Sequence, residues 1–311
     1  MLEHGGRLRE AAQRWGIPCA AWLDLSTGIA PWPYPVPAVP AAVWQRLPEA
    51  DDGLEAAARA YYGTGQLLAL PGSQAGIQCL PRLLKPGRVA IPMPIYAEHP
   101  AAWRAAGHTQ VGWDEPADYA LLCNPNNPTG QCFTPAELLE RARALRLLVV
   151  DEAFIDAAPE ASLASCTAAN IVVLRSPGKF FGLAGARTGF AIAAPALLAP
   201  LAEALGPWAV SHPARWAARH ALADSAWQAL QRTRLAVAAK RLADLLGCLG
   251  TPTGTALFQY VATPRALELH GQLAQRAILV RHFDTPAALR FGLPESAADW
   301  HKLASALKEI A

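Results

Sequence analysis

Lysine is scarce in this 311-residue chain: Lys85, Lys179, Lys240, Lys302 and Lys308 are the only ones among 27 basic side chains. Charge of either sign is thin as well. Charged residues make up 17%, and 27 basic against 25 acidic groups leave a formal +2. No run of one sign occurs, so nucleic acid is not an expected partner. No apolar stretch reaches the roughly 18–20 residues that span a bilayer, so no membrane partner is expected either. The opening Met-Leu-Glu-His-Gly-Gly-Arg lacks the charged-then-apolar pattern of a secretory leader, and the chain reads as cytoplasmic. The six cysteines (Cys19, Cys79, Cys123, Cys132, Cys166 and Cys248) include no C-x-x-C pair and no zinc-like Cys/His spacing. No metal is expected, and each Cys reads as a small buried hydrophobe. No internal repeat is present.

Hydrophobic residues are plentiful at 52%, enough with this length for a full core and two domains. Pro31, Pro33, Pro35, Pro37 and Pro40 keep one segment extended, either an arm across another surface or a rigid connector. From residue 53 helical stretches (53–62, 97–106, 135–145) alternate with short apolar runs at 67–70, 88–91, 119–123, 147–150 and 171–174. Buried strands alternating with helices predict an α/β fold with a mostly parallel central sheet. A long helical region follows Ser211 and Pro213, broken near Asp224-Ser225. Beyond it, strands at 256–261, 278–281 and 288–291 and helices at 265–276 and 297–310 predict a smaller α+β domain. In the last helix Trp300, Leu303, Leu307 and Ile310 share one apolar face. The expected division is an amino-terminal segment and arm at 1–40, a large domain at 41–208 and a small domain at 209–311.

Three ordered pieces carry chemistry: Asn-Pro-Asn-Asn-Pro-Thr-Gly at 124–130, Asp-Glu-Ala-Phe at 151–154, and Ser-Pro-Gly-Lys at 176–179 with Arg187 beyond. Asn127, Asp151 and Ser176 sit at or just past predicted strand ends, where ligands bind in parallel sheets. Together the pieces supply what pyridoxal 5'-phosphate (PLP) requires. Lys179, alone among the lysines, follows a strand-like run in a Gly-rich turn and can form the Schiff base. Asp151 can pair with the pyridinium nitrogen, Asn127 with the phenolic oxygen, and Arg187 with the phosphate. Gly72-Ser73-Gln74, between a strand and a helix, can add N–H groups and a hydroxyl to the phosphate cup, with Ser176. Tyr96 is placed to stack on the pyridine face, or else packs in the core. Tyr62 could reach a phosphate across a dimer interface.

This set resembles the fold-type I PLP enzymes of the aspartate aminotransferase superfamily from about residue 20 onward. Within that group the chain is most similar to the threonine-phosphate decarboxylases of cobalamin biosynthesis, close kin of the histidinol-phosphate aminotransferases. The narrower likeness lies in His4-Gly5-Gly6, Asp24-Leu25-Ser26-Thr27-Gly28-Ile29, Asp151-Glu152-Ala153-Phe154-Ile155-Asp156, Pro207-Trp208-Ala209-Val210, Ile278-Leu279-Val280-Arg281 and Leu289-Arg290-Phe291. Phe154 is the most diagnostic, since aminotransferases of the superfamily generally carry Tyr there and the decarboxylases carry Phe.

The resemblance implies a homodimer acting on a small phosphorylated amino acid. It implies that Arg290 takes the substrate carboxylate, Arg281 serves as a second substrate arginine, and Asn127 adds a contact. His4, Ser26, Thr27 and Gly28 would belong to the segment that closes over the phosphate. Gly28 stands where some of these decarboxylases have Asn, and Leu257-Phe258 replaces an Asn-Tyr-like pair. The implied reaction turns L-threonine O-3-phosphate into (R)-1-amino-2-propanol phosphate and CO2. The alternatives are a histidinol-phosphate-type aminotransferase and a catalytically silent PLP-fold binding protein.

Overall fold

The computed structural model describes residues 4–310. They divide into two compact units: residues 33–127 with 132–230, and the remainder (up to 32, 128–131 and 231 onward). The expected boundaries differ in two ways. The division after the large domain falls inside the helix Ser225–Leu246, not after residue 208, and residues up to 32 group with the carboxyl-terminal part. Early sequence joins late sequence because a strand at 23–25 pairs with one at 278–284, as set out below.

The larger unit is built on seven strands: β2 (Leu67–Leu70), β3 (Arg88–Ala90), β4 (Thr109–Val111), β5 (Tyr119–Cys123), β6 (Leu147–Asp151), β7 (Ile171–Arg175) and β8 (Gly189–Ile192). They run in the order β2-β8-β7-β6-β5-β3-β4, and only β8 is antiparallel to its neighbours. Every residue of β5, β6 and β7 is buried, which is why these strands read as unbroken apolar runs rather than alternating ones. Leu121, Val149, Val172 and Leu174 meet Ile77, Leu80, Trp103 and Leu201 from covering helices in one core.

Register fixes the functional edge. Cys123 pairs with Asp151 and Asp151 with Leu174, so β5, β6 and β7 end side by side. Because β8 runs the other way, its first residue, Gly189, lies opposite the last residue of β2, Leu70. The segments after β2 and before β8 therefore emerge at the same corner.

The smaller unit holds a five-stranded sheet: β1 (Leu23–Leu25), β9 (Thr253–Thr255), β10 (Phe258–Ala262), β11 (Ile278–Asp284) and β12 (Ala287–Gly292), in the order β1-β11-β12-β10-β9. The expected strands and helices are present. β1, β4, β8, β9 and the helices Leu8–Trp15 and Pro195–Leu205 were not legible in sequence; three of these strands have only three residues, too short for a periodic signal. The proline-rich segment has no regular structure, and Tyr34 within it is buried in its own chain. The Tyr34 N–H donates to the Phe181 carbonyl at 2.8 Å, and its ring sits 5.2 Å edge-on to Trp227. Among the described residues no helix is long and apolar enough to cross a membrane.

Candidate active site

Asp151 ends β6 with 4% of its surface exposed, and a carboxylate so placed requires donors. It has two. The Ala153 N–H donates to Oδ1 at 3.0 Å, and His99 Nε2 lies 2.8 Å from Oδ2. His99 is fully buried on the helix Glu98–Ala105, and its ring meets that of Tyr96 edge-on at 6.0 Å. Sequence reasoning missed His99. Its signal was a lone polar ring three residues after Tyr96, in the first turn of the following helix. Cys123 adjoins the pair, its Sγ within 4.8 Å of the His99 and Asp151 ligand atoms. Burial, then the charge of Asp151, pushes the Cys123 thiol up, so it stays protonated.

The corner between β2 and β8 brings Arg187 to Gly72 and Ser73. Arg187 has a left-handed backbone (φ 54) after the turn Ala184–Ala186, and Gly72 has φ 75 just before the helix Ser73–Cys79. A Cβ on Gly72 would lie 2.8 Å from Arg187 Nη2, and one on Gly189 would lie 2.3 Å from the Ser73 nitrogen. Two glycines thus let a guanidinium and a helix-start backbone converge into a cradle that side chains would fill. Gln74 is anchored beside it: Nε2 donates to Glu98 at 3.0 Å, and the Tyr96 hydroxyl donates to Oε1 at 3.3 Å. Burial, then Glu98 and Asp151, raise the Tyr96 hydroxyl to about 12, so it acts as a donor.

Lys179 follows β7 through Ser176, Pro177 and Gly178, its N–H donating to the Ser176 carbonyl at 3.2 Å. Its Nζ lies 6.0 Å from the centre of the Phe154 ring. Asn127 sits in a turn fixed on both sides. Asn124 exchanges side-chain bonds with the Phe133 backbone at 2.8 and 3.0 Å, and Asn126 donates to the Pro94 carbonyl at 2.9 Å.

Behind Asp151 and Ser176 lies a buried charge cluster. Arg175 Nη1 bonds Glu152 at 3.0 Å and Ser162 at 2.8 Å, and Nη2 bonds Asp156. The Leu163 N–H donates to Glu152 at 2.7 Å, and the Tyr61 hydroxyl donates to Asp156 at 3.0 Å. Burial alone would lower the Arg175 pKa; Asp156 and Glu152 outweigh it and raise it. Burial raises Glu152 in spite of Arg175. Tyr62 lies beneath this cluster, 6% exposed, its ring 4.5 Å from the Arg175 guanidinium carbon. Its hydroxyl is sealed within its own chain, so the expected reach to another subunit's phosphate is not open to it.

The residues assigned to substrate, Asn127 apart, lie in the smaller unit. Arg281 on β11 and Arg290 on β12 are direct cross-strand partners, so their side chains leave the same sheet face. Arg290 lies 5.1 Å over Phe258 and Arg281 5.3 Å over Phe283. Arg290 Nη2 donates to the Ser26 carbonyl at 3.1 Å. Ser26 is 2% exposed, its hydroxyl donating to Asp24 at 2.6 Å and accepting from the Gly6 N–H at 2.7 Å. The Ser26 hydroxyl is thus engaged within the segment expected to close over the phosphate. His4 is half-buried two residues before Gly6, Thr27 is half-buried and Gly28 buried.

A lysine, a buried Asp–His pair and the approach of Arg187 to Gly72 thus lie along one edge of a mostly parallel sheet. The chain belongs to the aminotransferase class I and II family, whose model matches residues 48–307. It is 55% identical to a threonine-phosphate decarboxylase from Pseudomonas aeruginosa, over 99% of this chain and 97% of that one. A second threonine-phosphate decarboxylase, from a Sinorhizobium species, is 44% identical over 99% and 98% of the two chains. In fold it is similar to the histidinol-phosphate aminotransferase of Sinorhizobium meliloti, solved in complex with pyridoxal-5'-phosphate. The TM-score is 0.84 at 21% identity, covering 100% of this chain and 96% of the other.

Proposed function

We propose that this chain is a PLP-dependent carboxy-lyase that converts L-threonine O-3-phosphate to (R)-1-amino-2-propanol phosphate and CO2, within cobalamin biosynthesis. The likeness in sequence to two threonine-phosphate decarboxylases over nearly their full length supports this reading. The observation that carries it is Phe154, a buried ring without a hydroxyl facing Lys179 across 6.0 Å.

The donor set fits PLP. The Gly72–Arg187 cradle suits a phosphate, and buried Asp151 suits a protonated ring nitrogen. Arg187, Ser73, Gln74 and Ser176 would hold the phosphate, Tyr96 the ring face, Asn127 the phenolic oxygen, and Lys179 the aldehyde carbon. When bound, PLP supplies an electron sink for the pair left on Cα as the carboxylate departs. Asp151, oriented by His99 and Ala153, would present its carboxylate to the ring nitrogen of that sink. The Lys179 amine carries a proton to Cα. Phe154 places no donor near this amine and excludes water from it. Arg290 takes the carboxylate, while Arg281 and His4 take the phosphate, both anions needing paired charge to leave water.

A second copy of the chain completes the active unit. Trp44, Leu47, Met93 and Trp208 are 58–68% exposed, apolar surface that a second copy would cover. The compartment is the cytoplasm.

The reading is tested by incubating the PLP-loaded protein with threonine phosphate. CO2 and an amine should form with no 2-oxo acid present. Borohydride should fix the cofactor to Lys179 and abolish the visible band. Amino transfer between histidinol phosphate and 2-oxoglutarate without CO2 release would assign the chain to the aminotransferases, and neither reaction would leave a binding protein.

A further inference from the structure

We propose that Asp24 is a positioning residue: acting through Ser26, it holds the amino-terminal segment that carries His4 and the side chain of Arg290 in one arrangement, so that the phosphate and carboxylate of the substrate are recognised together. The substrate part of this inference rests on the decarboxylase reading above.

Asp24 lies on β1, opposite Leu279 of β11. One of its oxygens, Oδ1, accepts from both the Ser26 N–H at 2.9 Å and the Ser26 hydroxyl at 2.6 Å. With its proton committed to a carboxylate, the Ser26 oxygen is a better acceptor, and it receives the Gly6 N–H at 2.7 Å. The same residue works through its backbone, since the Ser26 carbonyl accepts from Arg290 Nη2 at 3.1 Å. Ser26 thus touches both ends of the proposed anion pocket while 2% of it meets solvent.

The backbone is fitted to this clamp. A Cβ on Gly5 would sit 2.1 Å from the Ser26 carbonyl oxygen, and Gly6 has φ +78. Only glycine lets the segment after His4 pass so close and turn. On the other side, a Cβ on Gly292 would lie 2.3 Å from the Thr27 carbonyl oxygen, so β12, which carries Arg290, abuts the residue after Ser26. Asp24 contacts neither His4 nor Arg290 in the hydrogen bonds that define the clamp, so its influence passes through Ser26.

The test uses the PLP-loaded full chain with Asp24→Leu, the milder Asp24→Asn, and Ser26→Thr. Amide hydrogen exchange and steady-state CO2 release are both measured. Asp24→Leu should lose exchange protection at residues 5–7 with the rest of the chain unchanged. Its KM for threonine phosphate should rise about tenfold with kcat within about twofold, the loss of roughly one charge-assisted bond. Preference over unphosphorylated threonine should shrink by the same factor. Asp24→Asn should shift both readouts less in the same direction, and Ser26→Thr, which keeps the hydroxyl, should keep the exchange protection. In Asp24→Leu/His4→Ala the KM effects should be less than additive, because His4 is already released. Unchanged protection at residues 5–7 in Asp24→Leu overturns the clamp, and additive effects overturn its link to the substrate. If the parent releases no CO2 from threonine phosphate, the decarboxylase reading fails, while the exchange comparison still decides whether Asp24 holds the segment.

Discussion

Asp151 and His99 meet at 2.8 Å in an interior where the histidine has no exposed surface and the aspartate 4%. The pair joins the end of a strand to a helix 52 residues earlier, and it sets the orientation of the carboxylate on which the proposed chemistry depends. His99→Phe should leave folding intact enough to purify but lower kcat by about 10–100-fold with a small change in KM, since the oriented charge matters most as charge develops. Asp151→Ala should cost more than His99→Phe. Steady-state CO2 release gives both numbers, and a parent-like Asp151→Ala ends the ring-pairing assignment.

Phe154→Tyr adds a phenol close to the Lys179 amine. A donor there favours the deprotonated phenolic oxygen of the cofactor, so the pH midpoint of the visible band should move down. Absorbance titration reads the shift, and coincident titrations would show that residue 154 does not face the cofactor.

Gly72→Ala is expected to weaken PLP retention without touching any group that bonds it. The substitution forces a side chain into φ 75, ψ 154, a region nearly confined to glycine at a cost of about 1–3 kcal/mol, and drives Cβ to 2.8 Å from Arg187. Dialysis followed by absorbance should show cofactor loss at least about tenfold easier than in the parent. Arg187→Ala should match or exceed it.

Glu152 gives a pH signature. Burial raises its folded pKa above the unfolded 4.5, so the folded state binds the proton more tightly. Its contribution is complete below about 4.5 and is lost as pH climbs through the raised folded value. Melting the parent and Glu152→Gln from pH 4 to 8 should show the parent losing ground to the variant over that rise and holding level above it. Arg175→Ala, which leaves Glu152 and Asp156 buried without their cation, should cost about 3–5 kcal/mol.

For the dimer, Trp44→Glu with Leu47→Glu should shift sedimentation toward monomer and lower activity together, because both residues are largely exposed apolar surface in the single chain. A fully active monomeric parent would reject the dimer.

The sequence by itself determined the strand core and singled out the candidate reactive groups. Runs such as Leu147–Asp151 can only be buried, and a lysine in a Gly-rich turn beyond such a run had few competitors in a chain with five lysines. Phe154 was legible because it is defined by its spacing from Asp151. Tertiary structure alone decided how the groups are held. That His99 serves Asp151 follows from a helix crossing a strand end, and that Arg187 meets Gly72 follows from β8 running antiparallel, neither of which leaves a local pattern. The same holds for Tyr62 and Ser26, whose neighbours are supplied by other parts of the chain. Residue type and spacing report what a side chain can do, but burial and hydrogen-bond partners are set by which distant segments pack together. Tyr62 was thereby sealed under Arg175, and Ser26 was bound to Asp24 and Gly6.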